Sequence, residues 1–267
     1  MIYCDSHMHS AFSSDSDADM EAMIQSAINM QLKTICFTEH LDMDYPSDPP
    51  KFQVDIESYE KRFFQLKDKY INQIELLYGI ELGLMPYLAS RYDQFVNAHP
   101  FDYVIGSTHL VDGMDPYYPD FFNINDKETG VRKYFQTVID NTKAFDNFMS
   151  YGHIDYVIRY APGTNQDYSY ANYQDILDEL FTTLIRHDKA LEINTAGFKY
   201  GLGQPHPQID VLRRFREMGG ERITIGSDAH KPEHIAFDFT RTEEILKSLC
   251  FKYYLIYKEQ KPIEIEV

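Results

Sequence analysis

The chain opens with Met-Ile-Tyr-Cys-Asp-Ser-His-Met-His-Ser, residues 1–10, in which a short apolar run leads into two histidines. Side chains two positions apart on a strand point to the same face, so His7 and His9 can both reach one ion. Imidazole is a common ligand of divalent metals. Taken alone, the pair fits either a metal site or a polar strand end, and the rest of the chain decides between them.

The same arrangement recurs along the chain. Predicted strands cover residues 2–4, 34–38, 74–80, 103–105, 148–151, 190–193 and 222–225. Nine possible metal ligands follow these runs, namely His7, His9, Asp15, His40, Glu81, His109, His153, Asp228 and His230. Each placement has a plainer alternative, such as a helix cap for Asp15 or a hydrogen-bonded rim residue for His40. Because strand ends meet at one end of a barrel, their recurrence predicts a single shared metal site.

Helix-like segments alternate with these strands. Helical periodicity predicts helices at residues 19–32, 55–72, 88–98, 126–146, 170–187, 209–218 and 242–249, with a long loop at 111–125 and a closing strand pair at 253–257 and 263–267. Alternating strands and helices imply a parallel sheet. Polar residues at nearly every strand end favour a closed barrel over an open sheet. In an open sheet the binding residues cluster at the one point where the strand order reverses. We therefore predict one α/β domain, residues 1–267.

The formal net charge of −17 argues against a nucleic-acid partner. Binding to nucleic acid requires clustered Lys and Arg, and the sequence contains no such cluster. A small phosphate remains possible, because bound metal ions can set the local sign of the potential. Nothing in the sequence indicates an obligate protein partner.

The three cysteines, Cys4, Cys36 and Cys250, are widely spaced and predicted to be free thiols. No apolar run approaches the ~20 residues of a membrane span, which argues against a membrane partner. The first residues pass directly into the histidine motif, which leaves no room for a signal peptide. We expect a cytoplasmic protein.

Several of these motifs together resemble the PHP (polymerase and histidinol phosphatase) superfamily. They are His7-Met8-His9-Ser10, His40, Gly79-Ile80-Glu81, Gly106-Ser107-Thr108-His109, Gly152-His153-Ile154-Asp155 and Gly226-Ser227-Asp228-Ala229-His230. Residues 191–197 and 111–113 are further similar to the stand-alone histidinol-phosphate phosphatases of that superfamily. The resemblance covers nearly the whole chain. It implies a distorted (βα)7 TIM-like barrel with its active site at the C-terminal ends of the strands.

The resemblance also implies a trinuclear metal site. One ion would bind His7, His9, Glu81 and Asp228, and a second would share Glu81 with His109 and His153. Asp15, His40 and His230 would hold the third. All nine positions carry a competent ligand, and mixed imidazole and carboxylate ligation admits zinc, iron or manganese.

These expectations define a chemical hypothesis: a metal-dependent phosphomonoesterase, with histidinol phosphate of the histidine pathway as the favoured substrate. A metal-bridging hydroxide held by Glu81 and Asp228 would attack phosphorus. Arg159 is the leading phosphate anchor, because guanidinium grips two oxygens at once. Further candidate substrate contacts are Lys199, Asn194, His206 and the aromatic residues of the loop at 111–125, among them Tyr117, Tyr118, Phe121 and Phe122.

Three alternatives stay open at this point. Related PHP barrels hydrolyse phosphotyrosine or nucleotides, so the fold does not select the ester. Amidohydrolase barrels also begin with His-x-His, although they typically add a bridging carbamylated lysine, for which only Lys199 is available. A non-catalytic metal-stabilised module is the third possibility, and the complete set of ligands argues against it.

Overall fold

Seven parallel strands form the centre of the molecule, which we describe from a computed structural model for residues 1–163 and 168–267. The strands are β1 (Cys4–Met8), β2 (Thr34–Leu41), β3 (Glu75–Gly83), β4 (Tyr103–Ser107), β5 (Ser150–Tyr151), β6 (Ala190–Asn194) and β7 (Ile223–Gly226). They pair in chain order from β1 to β7. Backbone bonds of 2.8 Å from His9 N to Ala229 O and from Asp228 N to His7 O join β1 to the end of β7. The predicted barrel is therefore confirmed as a nearly closed one.

Helices follow the strands at each of the seven predicted places, and the described residues contain two further short helices, at 120–124 and 196–199, that the sequence does not predict. They are α1 (Met20–Asn29), α2 (Ile56–Tyr70), α3 (Ala89–Ala98), α4 (Asp120–Ile124), α5 (Lys127–Ala144), α6 (Gln174–Arg186), α7 (Ala196–Lys199), α8 (Ile209–Glu217) and α9 (Phe239–Ser248). Aspartates cap three of the long helices: Asp19, Asp55 and Asp126 each accept a hydrogen bond from a backbone N–H three residues on. These caps stabilise the starts of α1, α2 and α5 because they satisfy otherwise unpaired N–H groups. No helix among the described residues is long and apolar enough to cross a bilayer.

The first three strands extend farther toward their carboxyl ends than the sequence predicts. β1 runs through His7, β2 through His40 and β3 through Glu81, and these side chains are buried. The predicted bounds were wrong because hydropathy falls at these polar residues while the ladder continues, with His40 paired to Glu81. These three candidate ligands thus belong to the sheet itself, whereas the other six follow the strands in loops.

Two other predictions need correction. The segment 111–125 is not entirely a loop, because α4 forms near its end and buries Phe121 in the core. The fifth strand is only two residues long, since Met149 pairs with Val104 but the ladder stops at Tyr151. Gly152 follows at once, and a Cβ there would lie 2.4 Å from Ser107 Oγ, so the small residue permits close approach to β4.

The predicted closing strands form an antiparallel hairpin, β8 (Tyr253–Lys258) and β9 (Lys261–Glu266). Asp102, just before β4, accepts a hydrogen bond from Glu259 N through its side chain, and Gln260 N donates to its carbonyl. The rings of Tyr103 and Tyr257 stack with centroids 5.4 Å apart. The hairpin therefore covers the amino-terminal end of the barrel, and the carboxyl end is left open for a site.

Candidate metal centre

The nine side chains predicted as ligands lie together at the carboxyl end of the barrel. Imidazole nitrogens and carboxylate oxygens form overlapping groups of three whose ligand atoms lie within 4.8 Å of one another. Glu81, on the central strand β3, contacts imidazoles from both sides of the barrel. The carboxylate is fully buried, and that position is unfavourable for a charge without positive partners.

The first group comprises His7, His9, Glu81 and Asp228. His7 Nε2 lies 3.1 Å from His9 Nε2 and 3.2 Å from Glu81 Oε2. Asp228 Oδ1 is 3.6 Å from His9 Nε2 and 3.9 Å from His7 Nε2. A tetrahedral ion with bonds of about 2.0–2.2 Å separates its ligand atoms by roughly 3.4 Å. The spacing of the four atoms therefore fits a metal between them.

Glu81 extends the cluster through its other oxygen. Oε1 lies 2.9 Å from His153 Nε2 and 3.4 Å from His109 Nε2, and Ser107 Oγ donates to it at 2.7 Å. Oε2 is buried and has no hydrogen-bond partner among the described residues, although His7, His9 and His40 nitrogens lie within 3.5 Å. An orphaned carboxylate oxygen surrounded by imidazoles is the arrangement that a bridging ligand requires.

A third group lies nearer the solvent. Asp15 Oδ2 is 3.1 Å from His230 Nε2 and 3.6 Å from His40 Nε2. The His40 and His230 rings both stack on the His9 ring, with centroids 4.2 and 4.3 Å away. The stacking holds the two outer imidazoles beside the inner group. The loop that carries Asp15 therefore folds back to the metal site. Of the two interpretations of this residue, a helix cap or a metal ligand, its position agrees with the second.

The electrostatics of the cluster are those of a site built around cations. Burial and the neighbouring His40, His230 and His7 imidazoles lower the pKa of His9 well below its usual value, so its ring is neutral. Burial opposes protonation of His109, but Asp42 and Glu81 raise its pKa to about 10. The imidazoles that face carboxylates thus bind protons where a metal is absent. Bound metal would replace those protons and leave every imidazole in the neutral, ligating form.

A carboxylate that our sequence analysis did not identify supports the first group. Glu192 on β6 accepts from His7 Nδ1 at 2.6 Å, from His153 N at 2.9 Å and from Asn194 Nδ2 at 3.1 Å. A carboxylate on Nδ1 fixes the tautomer and orients Nε2 toward a metal. The signal was present in the sequence, because Glu192 stands in an apolar strand as Glu81 does.

Two further carboxylates act in the same way. Asp42 Oδ2 lies 2.7 Å from His109 Nδ1. Ser13 Oγ lies 3.1 Å from His9 Nδ1 and donates to Glu39 Oε2 at 2.5 Å. Sequence reasoning missed Asp42, Ser13 and Glu39, since nothing in their spacing indicates which imidazole each one reaches.

A cavity of about 560 Å³ opens over the cluster and is lined by both ligands and aromatic rings. Arg159, the predicted phosphate anchor, lies on its wall with the guanidinium over the Tyr200 ring. Tyr117 and Tyr118 of the predicted aromatic loop also line it. His234, which our sequence analysis did not select, is a further lining residue. The cavity therefore joins a metal cluster to a cation and aromatic walls.

The other three predicted substrate contacts do not line this cavity. Lys199 Nζ donates to the Asp228 carbonyl at 3.0 Å. Asn194 is buried, and its Oδ1 accepts a hydrogen bond from Ala196 N, two residues on, where α7 begins. His206 is buried against Asp155, with Nδ1 and Oδ1 2.5 Å apart. Asn194 Nδ2 lies 3.4 Å from Asp228 Oδ2, so both Lys199 and Asn194 act on the site through Asp228. His206 does not line the cavity.

Comparison with known proteins agrees with this geometry. The PHP domain matches residues 5–196. A histidinol-phosphatase of Lactococcus lactis is 32% identical over 92% of this chain and 91% of its own length, and a probable histidinol-phosphatase of Clostridium acetobutylicum is 31% identical over 93% and 94%. The crystal structure of the L. lactis histidinol phosphate phosphatase, complexed with zinc, L-histidinol and phosphate, superposes with a TM-score of 0.91 at 31% identity, covering 98% of each chain. The matched domain spans most of the chain and contains seven of the nine candidate ligands, and the chain therefore belongs to the PHP family.

Proposed function

We propose that this protein is a metal-dependent phosphomonoesterase that hydrolyses L-histidinol phosphate to L-histidinol and phosphate. The observation that carries the proposal is the buried Glu81 carboxylate, surrounded by imidazoles at the floor of a cavity that also holds Arg159. The names of the full-length relatives and the histidinol and phosphate bound in the L. lactis structure support the choice of substrate. The three free cysteines are consistent with a protein that functions in the reducing cytoplasm.

We further propose three divalent ions of zinc, iron or manganese. His7, His9, Glu81 and Asp228 would hold the first. Glu81, His109 and His153 would hold the second, and Asp15, His40 and His230 the third. The donors fit these metals because they are mixed imidazoles and carboxylates. The orphaned Glu81 Oε2 and the near-tetrahedral spacing of the first group support the assignment.

When bound, the ions supply Lewis acidity toward the phosphate oxygens and a water nucleophile that ionises near neutral pH. The remaining roles belong to the chain. Arg159 reaches the cavity from its wall and would grip two phosphate oxygens, which orients phosphorus over the cluster. Asp228 is half-buried at the cavity floor, which opposes its ionisation, but His7 and its neighbours His230 and Lys199 hold its pKa well below the usual value. Its ionised carboxylate, hydrogen-bonded by Asn194, can accept a hydrogen bond from the attacking water.

A kinetic screen of reconstituted protein tests the proposal. Apo protein loaded with zinc, manganese or iron is assayed against histidinol phosphate, phosphotyrosine, a nucleoside monophosphate and an N-acyl amino acid. We expect the highest kcat/KM for histidinol phosphate. A dominant kcat/KM for phosphotyrosine or the nucleotide would change the substrate, and amide hydrolysis without phosphate release would indicate amidohydrolase chemistry.

Variants of the ligands separate the site from the remainder of the fold. His9→Ala and Asp228→Ala should each lower kcat by roughly a hundredfold to a thousandfold, because each removes a proposed ligand of the first ion. His187→Ala is the matched control, since His187 is a surface histidine paired with Asp146. Full turnover by both ligand variants would refute the proposal.

A further inference from the structure

Asp115 is a carboxylate in the cavity wall that forms no ion pair within residues 1–163 and 168–267. It lies in the turn after β4 and lines the cavity. Tyr45 Oη donates to its Oδ2 at 2.8 Å, and Tyr117 N donates to its Oδ1 at 2.8 Å. It forms no ion pair with any described residue, and residues 164–167 contain no Lys, Arg or His. The two hydrogen bonds orient the carboxylate. The nearby His109 imidazole lowers its pKa, but that imidazole would be neutral as a metal ligand and would then leave the charge of Asp115 uncompensated.

Aromatic rings surround this carboxylate. The Tyr45 ring contacts the Phe52 ring edge-on at 4.8 Å, and Tyr160 contacts both Tyr117 at 5.4 Å and Tyr156 at 5.0 Å. All five rings line the same cavity. Ring faces attract cations, the more strongly where water is excluded. Burial raises the pKa of Asp115, so the ionised carboxylate is poorly hydrated and gains most from a bound cation.

The cavity therefore has two ends of opposite preference. Its floor carries the metal ligands and its wall carries Arg159, both suited to a phosphate dianion. Asp115 and the aromatic rings form a part of the cavity with the opposite preference, one that suits a positively charged nitrogen. A ligand that satisfies both ends is small, with a phosphate at one end and a cationic group at the other.

We propose that Asp115, oriented by Tyr45 and by the Tyr117 backbone, binds the cationic nitrogen of the substrate and selects short amine-bearing phosphomonoesters over neutral or acidic ones. This inference rests on the phosphatase function proposed above and adds the residue that determines specificity. It predicts discrimination against nucleoside monophosphates, which offer no ammonium for Asp115 to bind, and against phosphotyrosine, whose carboxylate would meet the Asp115 carboxylate.

Asp115→Asn in the metal-loaded enzyme tests the inference. We expect kcat/KM for L-histidinol phosphate to fall about tenfold to a hundredfold, mainly through KM, because a hydrogen bond to a charged group is lost. Turnover of p-nitrophenyl phosphate, which carries no cation, should stay within about twofold of wild type, since Asp115 does not contact the phosphate end. The control is Asp112→Asn in the same turn, whose side chain is exposed beside Lys133 and whose left-handed backbone accepts asparagine.

Two additional substrates identify the nitrogen that is bound. Ethanolamine phosphate carries the ammonium without a ring, and 2-(imidazol-4-yl)ethyl phosphate carries the ring without the ammonium. A selective loss with either one in Asp115→Asn supports the inference and assigns the group. Equal losses for p-nitrophenyl phosphate and histidinol phosphate, or no loss for any cationic ester, would overturn it.

Calorimetric binding of L-histidinol, the product, separates this inference from the proposed function. If the enzyme binds histidinol and Asp115→Asn weakens that binding about tenfold or more, the cation site stands whatever reaction the metals catalyse. If wild-type protein turns over phosphate esters but Asp115→Asn binds histidinol as wild type does, the function stands and the cation site is refuted.

Discussion

Replacing Glu192 by glutamine should weaken metal binding without touching any ligand. The two oxygens of Glu192 accept from three N–H donors, at His7, His153 and Asn194. Glutamine is nearly the same size but offers one oxygen and one NH2 group. In one orientation that NH2 faces His7 Nδ1, and in the other it faces the His153 and Asn194 donors. Either way a donor meets a donor at about 3 Å, a contact that costs a hydrogen bond.

The expected change in metal affinity follows from the hydrogen bond that the substitution removes. The His7 Nδ1 to Glu192 Oε1 distance of 2.6 Å is that of a charge-assisted hydrogen bond, worth about 1.5–3 kcal/mol. Without it, His7 can place its proton on Nε2, the atom that faces Glu81 and the proposed ion. We therefore expect the metal Kd to rise about tenfold to a hundredfold, the range usual for a lost carboxylate behind a ligating histidine.

The assay is a competition between apo protein and a chromophoric chelator for Zn²⁺, with metal content measured by mass spectrometry. Glu75→Gln is the control, because Glu75 is a carboxylate on β3 that pairs at the surface with Lys258. Circular dichroism confirms that the barrel has folded. Wild-type zinc affinity in a folded Glu192→Gln protein would show that this carboxylate does not orient His7 toward a metal.

Three other outcomes are expected. Gly226→Ala should lower the thermal midpoint and the metal content together, because the new Cβ would lie 2.3 Å from His7 Cβ and such overpacking costs about 1–3 kcal/mol; an unchanged midpoint on thermal melting would contradict this. Chelation should also lower the thermal midpoint. If the free metal concentration is about a thousand times the Kd of each ion, losing each ion should lower the midpoint by roughly 10 °C in differential scanning calorimetry. Identical melting curves for the apo and metal-loaded proteins would mean that the cluster binds no metal. A thiol reagent should modify one cysteine in native protein and three after denaturation, since Cys250 is exposed while burial raises the pKa of Cys4 to about 12 and that of Cys36 above its usual value.

The sequence predicted the barrel and the cluster because both rest on local signals. Helical periodicity and aspartate caps locate the helices, as Asp19 and Asp126 show. Strand ends were harder to place, because β2 stays buried through Glu39 and His40 while its hydropathy falls. A strand that carries buried ligands resembles a loop to any measure based on apolar residues alone.

The partners of each imidazole could not be predicted. His7 and Glu192 are separated by 185 positions, and only the closed barrel brings β1 and β6 within reach. Lys199 and Asn194 illustrate the opposite error, since their proximity to strand β6 suggested contact with substrate. The structure instead places both against Asp228, where Lys199 Nζ donates to the backbone carbonyl and Asn194 Nδ2 lies 3.4 Å from Oδ2.

The additional carboxylates change the charge balance that the ligands alone suggest. Three divalent ions carry six positive charges, and the ligands Glu81, Asp228 and Asp15 return three negative ones. Asp42 and Glu192 return two more, and Glu39, whose pKa burial raises to about 7, returns part of a third, so the fully ligated cluster is close to neutral.

The attraction of a phosphate dianion therefore depends on which charges lie nearest to it, rather than on a net positive charge of the whole cluster. Glu192 and Glu39 stand on the Nδ1 side of the imidazole rings, whereas His7 and His9 would hold the proposed ions through their Nε2 atoms. Coulomb attraction falls with distance, and the nearer positive layer faces the phosphate. Arg159 adds a cation on the same face, so an acidic protein can present a locally positive surface to its substrate.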